Sequence, residues 1–393
     1  MTQYPFPTAD PLQLPAEFAS LRANQPVAPV TVSSGDTVWL VTRYDDVKAV
    51  LGDARFSRNI GRPEAARLIP GVRMPSMPLA DPPAHTRWRK LVSKAFTARQ
   101  ITALRPRLIE IVDGLLDGIE ARPQPVDLME HFAFPLPIAV VCELLGLDAG
   151  EQGPFRKQAA LALSADGATP EERGAAFGEL AEQAGNIISD RRANLGDDLL
   201  SGLIAVHDAD EGSLTEPELV ATVMTLLIGG YENPAHQVGK GLYSLFRHPA
   251  QLAALRADPA RLPAAVEEML RYTGALDSGF GSPRFALEDV EVAGVTIPKG
   301  STLLVIRQSA NRDETRFDDP DRFDISRDPT QHLVFGHGPH HCIGAALARL
   351  EFEVGFGRLL ARFPGLRLAV PIEDIQWAYR VTASGPAALP AAW

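Results

Sequence analysis

The sequence predicts a mainly α-helical fold with a smaller β portion, and three observations lead to that prediction. Apolar residues recur at helical spacing over most of the chain after Tyr44. Before them, residues 28–42 form a hairpin pattern, with two runs of β-branched and apolar residues on either side of a turn that contains Gly35. A second strand-rich stretch covers residues 284–307. No repeat, low-complexity tract or linker interrupts the chain, so we expect one domain over residues 1–393.

Helical periodicity defines eight segments of the chain. These are residues 46–51, 87–96, 105–120, 138–147, 175–194, 216–246, 260–272 and 343–362. The longest begins with a capping box, Thr215 to Glu218, with Pro217 near the helix start. At about 1.5 Å per residue this helix is about 45 Å long, enough to cross a domain of this size.

The composition of the chain indicates which binding partners and which cellular compartment to expect. The 393 residues include 38 Lys and Arg against 49 Asp and Glu, a net charge of −11, which disfavours nonspecific binding to nucleic acid or an anionic membrane. Two cysteines are too few for a secreted disulfide scaffold, and the first residues do not resemble a signal peptide. The apolar run 219–228 is shorter than the roughly 18 residues of a spanning helix. We expect a soluble, cytoplasmic monomer with no nucleic-acid or membrane partner.

Cys342 lies in the segment with the highest density of possible metal ligands, where four of the nine histidines fall within ten residues. Gly336, Gly338 and Pro339 predict an irregular turn there. We expect Cys342 to fall at the start of the following helix, where free N–H groups and the helix dipole favour a thiolate. Cys142, within an ordinary helical segment, is interpreted as a small buried hydrophobic residue.

Two interpretations of Cys342 as a metal ligand are possible, one with zinc and one with haem iron. Zinc requires three or four ligands at a regular spacing, and His337, His340, His341 and Cys342 are too crowded to converge. Haem iron requires only one axial ligand from the protein, and a thiolate in that position favours O–O cleavage. The residues therefore favour haem b, with Cys342 as the axial ligand.

The segment 335–344 resembles the cysteine-ligand loop of the cytochrome P-450 family, with Phe335, His340, Cys342 and Gly344 at the motif positions. Three other segments resemble family motifs and occur in the family's order: His85-Thr86-Arg87-Trp88-Arg89, Glu268-Met269-Leu270-Arg271, and Asn311-Arg312-Asp313 followed by residues 319–324. The resemblance covers essentially the whole chain. It implies the cytochrome P-450 fold, with a long central helix over the haem and a small β-sheet region. It also implies a haem-thiolate monooxygenase of the soluble bacterial class.

The resemblance assigns residues that anchor the haem. His85 and Arg89 are four apart, so they project from one helix face and can hold one carboxylate. The family adds Arg284 and His340 as further partners of the haem propionates. Glu268 and Arg271 also share a helix face, and we expect Arg322 to complete a buried Glu–Arg–Arg network with a structural role.

The middle of the long helix departs from the family pattern. Pro234 cannot donate to the carbonyl of Gly230, which leaves room for a diatomic ligand and water. The family usually has an acid followed by threonine here, whereas this chain has Glu232 followed by Asn233. An amide relays protons less well than a hydroxyl. We therefore expect proton delivery through water, through Glu232 or from a substrate hydroxyl, and an atypical oxidation such as coupling, desaturation or rearrangement.

The catalytic group predicted from this segment is Gly229, Gly230, Glu232 and Asn233. Tyr231, about 200° from Gly229 around the helix, is expected to point away from the haem. The resemblance also implies which residues surround the substrate, namely Met74, Met77, Leu226, Phe280, Val381 and Thr382. A lipophilic small molecule is implied, such as a polyketide, terpenoid or aromatic intermediate of secondary metabolism.

Electrons must come from other proteins, because the chain contains no flavin or dinucleotide fingerprint. The expected donors are a ferredoxin and its reductase, with O2 as the oxidant. The stretch from 85 to 107 contains seven basic residues and no acidic one: Arg87, Arg89, Lys90, Lys94, Arg99, Arg105 and Arg107. Its exposed members are expected to dock an acidic ferredoxin, unless they serve only solubility and propionate binding. The missing threonine suggests one alternative of another class, a haem-thiolate sensor or carrier without turnover.

Overall fold

The computed structural model describes residues 2–8, 10–59, 61–68, 79–147, 152–163, 168–196, 198–209, 214–274, 282–328, 331–379 and 383–393. Its helices are α1 (Ala16–Asn24), α2 (Tyr44–Gly52), α3 (Ala84–Val92), α4 (Ala98–Ala103), α5 (Arg105–Glu120), α6 (Pro135–Leu145), α7 (Gln152–Ala162), α8 (Pro170–Ala193), α9 (Leu199–Ala209), α10 (Glu216–Arg247), α11 (Pro249–Ala257), α12 (Leu262–Thr273), α13 (Arg307–Ala310) and α14 (Ala345–Arg362). Its strands are β1 (Thr2–Gln3), β2 (Val27–Thr31), β3 (Thr37–Val41), β4 (Phe56–Ser57), β5 (Val126–Asp127), β6 (Ser282–Ala286), β7 (Val290–Val292), β8 (Val295–Ile297), β9 (Thr302–Val305), β10 (Arg367–Leu368), β11 (Trp377–Tyr379), β12 (Ser384–Pro386) and β13 (Pro390–Ala392). The predicted mainly α fold with a smaller β portion is confirmed.

The chain divides into two compact units, each made of two separate stretches. Unit 1 comprises Met1–Met74 and Pro263–Cys342, and unit 2 comprises Pro75–Leu262 and Ile343–Trp393. The single domain over 1–393 therefore stays a prediction.

Unit 1 contains a six-stranded sheet in the order β1-β2-β3-β9-β6-β4. The predicted hairpin is β2–β3, paired antiparallel from Val27 opposite Val41 to Thr31 opposite Thr37. Alternate residues of these strands enter two different apolar clusters, so that Val41 and Leu40, for example, are buried on opposite faces. The sheet is therefore covered on both faces, and it provides a rigid support for the segments that follow β9.

Unit 2 is built around α10, against which α6, α8 and α9 pack. The predicted capping box is present: Thr215 Oγ1 accepts from the Glu218 backbone N–H at 3.3 Å, and Glu218 Oε2 accepts from that of Thr215 at 2.8 Å. A side chain at Gly230 would collide with Val141, so glycine permits the close approach of α6. The α-helix is continuous through Pro234 to Arg247.

The sequence analysis did not predict several short helices, such as α7, α9 and α11. Helices of 9 to 11 residues are marginal by themselves and form because tertiary packing buries one side of them, as α11 buries Leu252 and Leu255. No helix within the described ranges combines the length and apolarity needed to cross a bilayer.

Candidate functional site

The loop that precedes Cys342 depends on glycine. Gly336 and Gly338 have φ of 74° and 71°, a region that disfavours other residues. A Cβ on Gly338 would lie 2.8 Å from Cα of Gly52 and 2.9 Å from the carbonyl oxygen of Leu51. Only glycine therefore lets this loop pack against the end of α2.

Backbone hydrogen bonds close the same loop. Gly336 N–H donates to the Leu333 carbonyl at 2.9 Å, and Cys342 N–H donates to the Phe335 carbonyl at 2.8 Å. Cys342 is exposed and forms no disulfide, while Cys142 is buried in α6, as predicted. The loop thus presents one accessible thiol on a fixed backbone.

The position of Cys342 relative to the next helix differs from the prediction. α14 begins at Ala345 with Gly344 as its N-cap, so Cys342 lies two residues before the cap instead of at the helix start. The helix-dipole effect on a thiol is confined to about the first turn. The loop backbone, with its two left-handed glycines, places the sulfur outside the helix.

Two side chains from the α13 region tie down the start of the loop. Arg307 Nη1 donates to the Val334 carbonyl at 2.6 Å, and Asn311 Oδ1 accepts from the Leu333 N–H at 2.7 Å. Asn311 was part of a sequence motif, but nothing in the local pattern around Arg307 indicated this contact. Together these two contacts fix the start of the loop to the α13 region of unit 1.

The donor set around Cys342 does not suit zinc. Across the described ranges, which include His337, His340, His341 and Cys342, no group of three or more His, Cys, Asp or Glu side chains can hold a metal ion. A site that needs several convergent ligands is therefore not supported here. A single cysteine sulfur on a closed loop fits a metal that takes one axial ligand from the protein.

The predicted Glu–Arg pair is present in unit 1. Arg271 donates to Glu268 through Nε at 2.7 Å and Nη2 at 2.9 Å, and both side chains are buried. Arg271 Nη1 also donates to the carbonyls of Asn311 and Pro320 at 2.9 and 2.8 Å. The pair therefore joins α12 to the chain that leads into the Cys342 loop.

The prediction that Arg322 completes this network is wrong. The side chain of Arg322 is 62% exposed and pairs with Asp319 and Asp324, whereas that of Arg327 is 13% exposed and lies 3.4 Å from Glu268. Arg322 contributes only its carbonyl, which accepts from Arg271 Nη2 at 3.3 Å. The chain turns between these two arginines and presents the later one to the buried carboxylate.

His85 and Arg89 lie on α3, as predicted, and α3 is attached to α10. Trp88 Nε1 donates to Thr222 Oγ1 at 3.0 Å, and Arg87 forms an ion pair with Glu218. His85 is buried with its ring 5.9 Å from that of Trp88. The spacing of four residues places the side chains of His85 and Arg89 on one side of a fixed helix.

Two further predicted anchoring residues lie in unit 1. Arg284 is buried on β6, where its Nη1 donates to the carbonyl of Pro283 at 2.9 Å. His340 ends a short 3₁₀ turn, Gly338–His340, within the Cys342 loop. A buried guanidinium and a loop-fixed imidazole can both donate hydrogen bonds to the carboxylates of a ligand.

The middle of α10 has one open stripe. Among residues 222–245 only Gly229 and Asn233 are exposed, and they lie about 40° apart around the helix. A Cβ on Gly229 would have no atom within 4 Å, so this surface has space for a ligand close to the backbone. Glu232 is buried beside the stripe.

Tyr231 points away from this stripe, as the sequence predicted. Its ring is buried, 6.0 Å from that of Phe134 and 5.9 Å from that of Phe155. Of the predicted substrate residues, Leu226 is buried on α10. The others lie outside the described residues: Met74, Met77, Phe280, Val381 and Thr382.

The basic stretch is partly neutralised by local ion pairs. Arg87 pairs with Glu218, Arg105 with Glu353 at 3.1 Å, and Arg107 with Glu110 at 2.8 Å and Glu143 at 3.0 Å. Lys90, Lys94 and Arg99 are exposed. These three side chains, on and after α3, are exposed members of the predicted docking surface.

The sequence pattern did not predict that an acidic residue of α14 is buried. Glu351 lies in the core of unit 2, and its Oε1 has no hydrogen-bond partner within the part of the chain that the structure describes. Burial raises the pKa of Glu351 to about 8. The side chain is therefore mainly a neutral carboxylic acid at neutral pH.

Comparison with known proteins agrees with this arrangement. The cytochrome P450 family profile matches residues 172–367. Nocardicin C N-oxygenase of Nocardia uniformis subsp. tsuyamanensis is 45% identical, over 99% of this chain and 98% of its own. 6-Deoxyerythronolide B hydroxylase of Saccharopolyspora erythraea is 43% identical, over 92% and 91%. The crystal structure of the LnmA cytochrome P450 hydroxylase from the leinamycin pathway of Streptomyces atroolivaceus superposes with a TM-score of 0.93 at 44% identity, over 100% of both chains.

The chain belongs to the cytochrome P450 family and is a monooxygenase. Members of this family carry haem iron with a thiolate ligand and act on lipophilic substrates with O2 and redox partners. The alternative of a sensor or carrier without turnover is not retained, because the relatives are named oxygenases and hydroxylases. The exposed thiol of Cys342 is compatible with a haem ligand of this kind.

Proposed function

We propose that this enzyme tailors a lipophilic secondary metabolite and that Cys342 is the axial ligand of its haem. The observation that carries the proposal is the closed loop that presents one exposed thiol. Glycine is required at position 338 for this loop to pack on α2, and its start is held by one hydrogen bond that Arg307 donates and one that Asn311 accepts. The bound haem would supply reductive activation of O2.

The cationic side chains have a distinct part in this proposal. His85 and Arg89 from α3, together with Arg284 and His340, would bind the haem propionates through charge-assisted hydrogen bonds. The burial of Arg284 supports this assignment, because a buried guanidinium charge is stabilised by an anionic group, and His85 is fixed on the same side of α3 as Arg89. Phe335 and Gly344 are included as the remaining motif positions of the loop.

The open stripe of α10 supports the assignment of the oxygen side. Gly229 keeps a side chain off this surface, Gly230 lets α6 pack against the neighbouring side of the helix, and Asn233 presents an amide that can hydrogen-bond to oxygen or water. The amide cannot pass a proton as a hydroxyl does, so delivery would depend on water, on Glu232 or on a substrate hydroxyl. This feature supports an oxidation other than plain hydroxylation, such as coupling, desaturation or rearrangement.

The relatives support the substrate class. One is named for N-oxygenation of nocardicin C, another for hydroxylation of 6-deoxyerythronolide B, and a third belongs to leinamycin biosynthesis. A polyketide, terpenoid or aromatic intermediate is accordingly proposed for this enzyme. Leu226 on α10 would contribute an apolar wall.

A ferredoxin and its reductase are proposed as the electron donors. The exposed Lys90, Lys94 and Arg99 support an acidic partner, because they stand out from a chain with a net charge of −11. The remaining basic residues of the stretch either form internal ion pairs, as Arg105 and Arg107 do, or belong to the proposed propionate site.

One experiment tests this function. Purified holoenzyme is screened with a library of polyketides, terpenoids and aromatic metabolites for ligands that shift the haem from low to high spin. Each hit is then incubated with NADPH and a surrogate ferredoxin and reductase, and products are identified by mass spectrometry. Oxygenated, coupled or desaturated products support the proposal. Ligands that shift the spin state with full binding but yield no product, although oxygen is consumed, would contradict the tailoring role.

A further inference from the structure

A buried threonine joins α3 to α10 in the interior of unit 2. The Thr222 hydroxyl donates to the Glu218 carbonyl at 2.7 Å, and Thr222 Oγ1 accepts from the Trp88 indole N–H at 3.0 Å. Thr222 and Trp88 are 0% and 2% exposed. An indole N–H can only donate, and a hydroxyl can donate once and still accept. The direction of both hydrogen bonds is therefore fixed, and the indole ring has one defined orientation.

The ring of Trp88 packs against the imidazole of His85. Their centroids are 5.9 Å apart, with an angle of 37° between the planes. The two residues are three apart on α3, so they are neighbours on one side of the helix, and His85 is 3% exposed. An aromatic wall on one side limits the rotamers that a buried ring can adopt. The orientation of the imidazole thus depends on the orientation of the indole.

The attachment lies on the same side of α10 as the open stripe. Thr222 precedes Gly229 by seven residues and Asn233 by eleven, which places it within about 20° of both around the helix. Thr222 and Gly229 are about 10 Å apart along the helix axis. Thr222 is buried at its contact with Trp88, whereas Gly229 and Asn233 are exposed. α3 is therefore attached at the N-terminal end of the face that carries the open stripe.

A second contact holds α3 on α10 close to the first. Arg87, next to Trp88 in the sequence, forms an ion pair with Glu218, whose carboxylate also caps the start of α10. Two adjacent residues of α3 thus contact two neighbouring turns of α10. The ion pair should keep the backbone of α3 in place when the indole hydrogen bond alone is removed. A change at His85 in such a variant therefore reports on the indole and not on a displaced helix.

We propose that Trp88 is a positioning residue for haem binding, which is held by Thr222 and directs the imidazole of His85 toward a haem propionate. The inference rests on the part given to His85 in the proposed function. The single N–H of the indole already donates to Thr222, so Trp88 acts through its ring contact with His85 and not by bonding a propionate itself. Groups that bind a cofactor are held most precisely when surrounding packing and hydrogen bonds lock their rotamers.

The test removes the acceptor in Thr222→Val, which keeps the shape of the side chain, and restores it in Thr222→Ser. Holoenzyme labelled with 15N-histidine is reduced and bound to carbon monoxide, and the ring resonances of His85 are identified by their loss in His85→Gln. Thr222→Val and Trp88→Phe should shift these resonances, and Thr222→Ser should leave them at their wild-type positions. Unmoved His85 resonances in both Thr222→Val and Trp88→Phe would overturn the positioning role.

The matched control is Thr273→Val, at a buried threonine of α12 whose hydroxyl also donates to the carbonyl four residues back, at 2.7 Å. This variant loses the same group in unit 1 and should leave the His85 resonances in place. A shift of equal size in Thr273→Val would show that loss of a buried hydroxyl, and not loss of the indole contact, moves His85, and would count against the proposal.

Retention of haem provides a second measurement. Transfer of haem to excess apomyoglobin should be about fivefold faster in Thr222→Val than in the wild type, the effect of losing about one hydrogen bond. Thr222→Ser should release haem at the wild-type rate. Release at the wild-type rate in His85→Gln would overturn the propionate assignment on which the inference rests. Faster release in His85→Gln with unmoved His85 resonances in Thr222→Val and Trp88→Phe would overturn only the positioning role, so the two failures are distinguishable without turnover.

Discussion

Arg271 and Glu268 form a two-bond ion pair in the interior of unit 1, with Nε to Oε2 at 2.7 Å and Nη2 to Oε1 at 2.9 Å. The Glu268 carboxylate also accepts from the Asp324 backbone N–H at 2.9 Å. The pair thereby joins α12 to the irregular chain that continues into the Cys342 loop. Two residues that are three apart in the sequence therefore connect segments that are far apart along the chain.

Breaking this pair is expected to prevent haem incorporation. Glu268→Ala leaves the buried guanidinium of Arg271 without its carboxylate, at a cost on the order of 3–5 kcal/mol. The variant should be recovered with little or no haem, measured by the ratio of Soret to protein absorbance. Arg322→Ala is the control and should keep full haem content, because that side chain is exposed. A Glu268→Ala protein with normal haem content would contradict the structural role.

Replacement of the proposed axial ligand should change the spectrum of the reduced carbon monoxide complex. Cys342→Ser is expected to lose the red-shifted Soret band that a thiolate ligand produces, because a serine hydroxyl is not ionised at neutral pH. Cys142→Ser, at the buried cysteine of α6, should retain that band. If Cys342→Ser kept the band, another residue would have to ligate the iron.

The amide at position 233 should limit the coupling of electron use to product formation. In Asn233→Thr a hydroxyl replaces the amide on the open stripe of α10, and we expect hydrogen peroxide release per NADPH to fall by a factor of about two or more. The ratio is measured with a hit from the spin-state screen. Asn233→Ala, which has neither group, should not improve coupling. Unchanged peroxide release in Asn233→Thr would show that proton delivery does not pass through this position.

Glu351 should make stability depend on pH. Its pKa is about 8 in the fold against 4.5 as the ordinary value, so between those values the folded protein binds more protons than the unfolded chain. The free energy of unfolding should therefore fall as pH rises through this window, by a few kcal/mol at most. Glu351→Gln cannot ionise and should gain stability relative to wild type between pH 5 and pH 8.

This effect is measured by denaturant unfolding of both proteins at pH 5, 6.5 and 8. Glu353→Gln is the control, because it is the same chemical change two residues along the same helix, at a side chain that is paired with Arg105 near the surface. A stability difference between Glu351→Gln and wild type that did not vary with pH would show that Glu351 does not titrate in this range.

Charge reversal on the basic surface should weaken the interaction with an acidic donor. The double variant Lys94→Glu, Arg99→Glu is expected to raise the KM for a ferredoxin about tenfold at low salt and to flatten its salt dependence. Lys299→Glu, at an exposed lysine of a turn in unit 1, is the control for a single charge reversal away from this surface. If both variants behave as wild type at every salt concentration, the donor docks elsewhere.

The sequence by itself determined the features that depend on neighbours along the chain. Helical periodicity predicted α5 with its observed limits and α10 to within one residue, and the 335–344 pattern identified the loop and its thiol. The spacing of Gly229, Tyr231 and Asn233 was sufficient to predict that Gly229 and Asn233 share one face of the helix and that Tyr231 points away from it. These properties follow from fixed helical geometry and from the backbone preferences of glycine and proline.

Only the tertiary structure decided which distant side chains meet. Arg322 and Arg327 are equally basic, and the turn of the backbone between them sets which one reaches Glu268. Likewise, three arginines of the basic stretch form ion pairs with acidic residues of other helices. Glu351 is buried, although the helical pattern alone did not predict its burial. Burial and pairing are set by contacts between residues far apart in the chain, and local periodicity carries no information about which partner those contacts will provide.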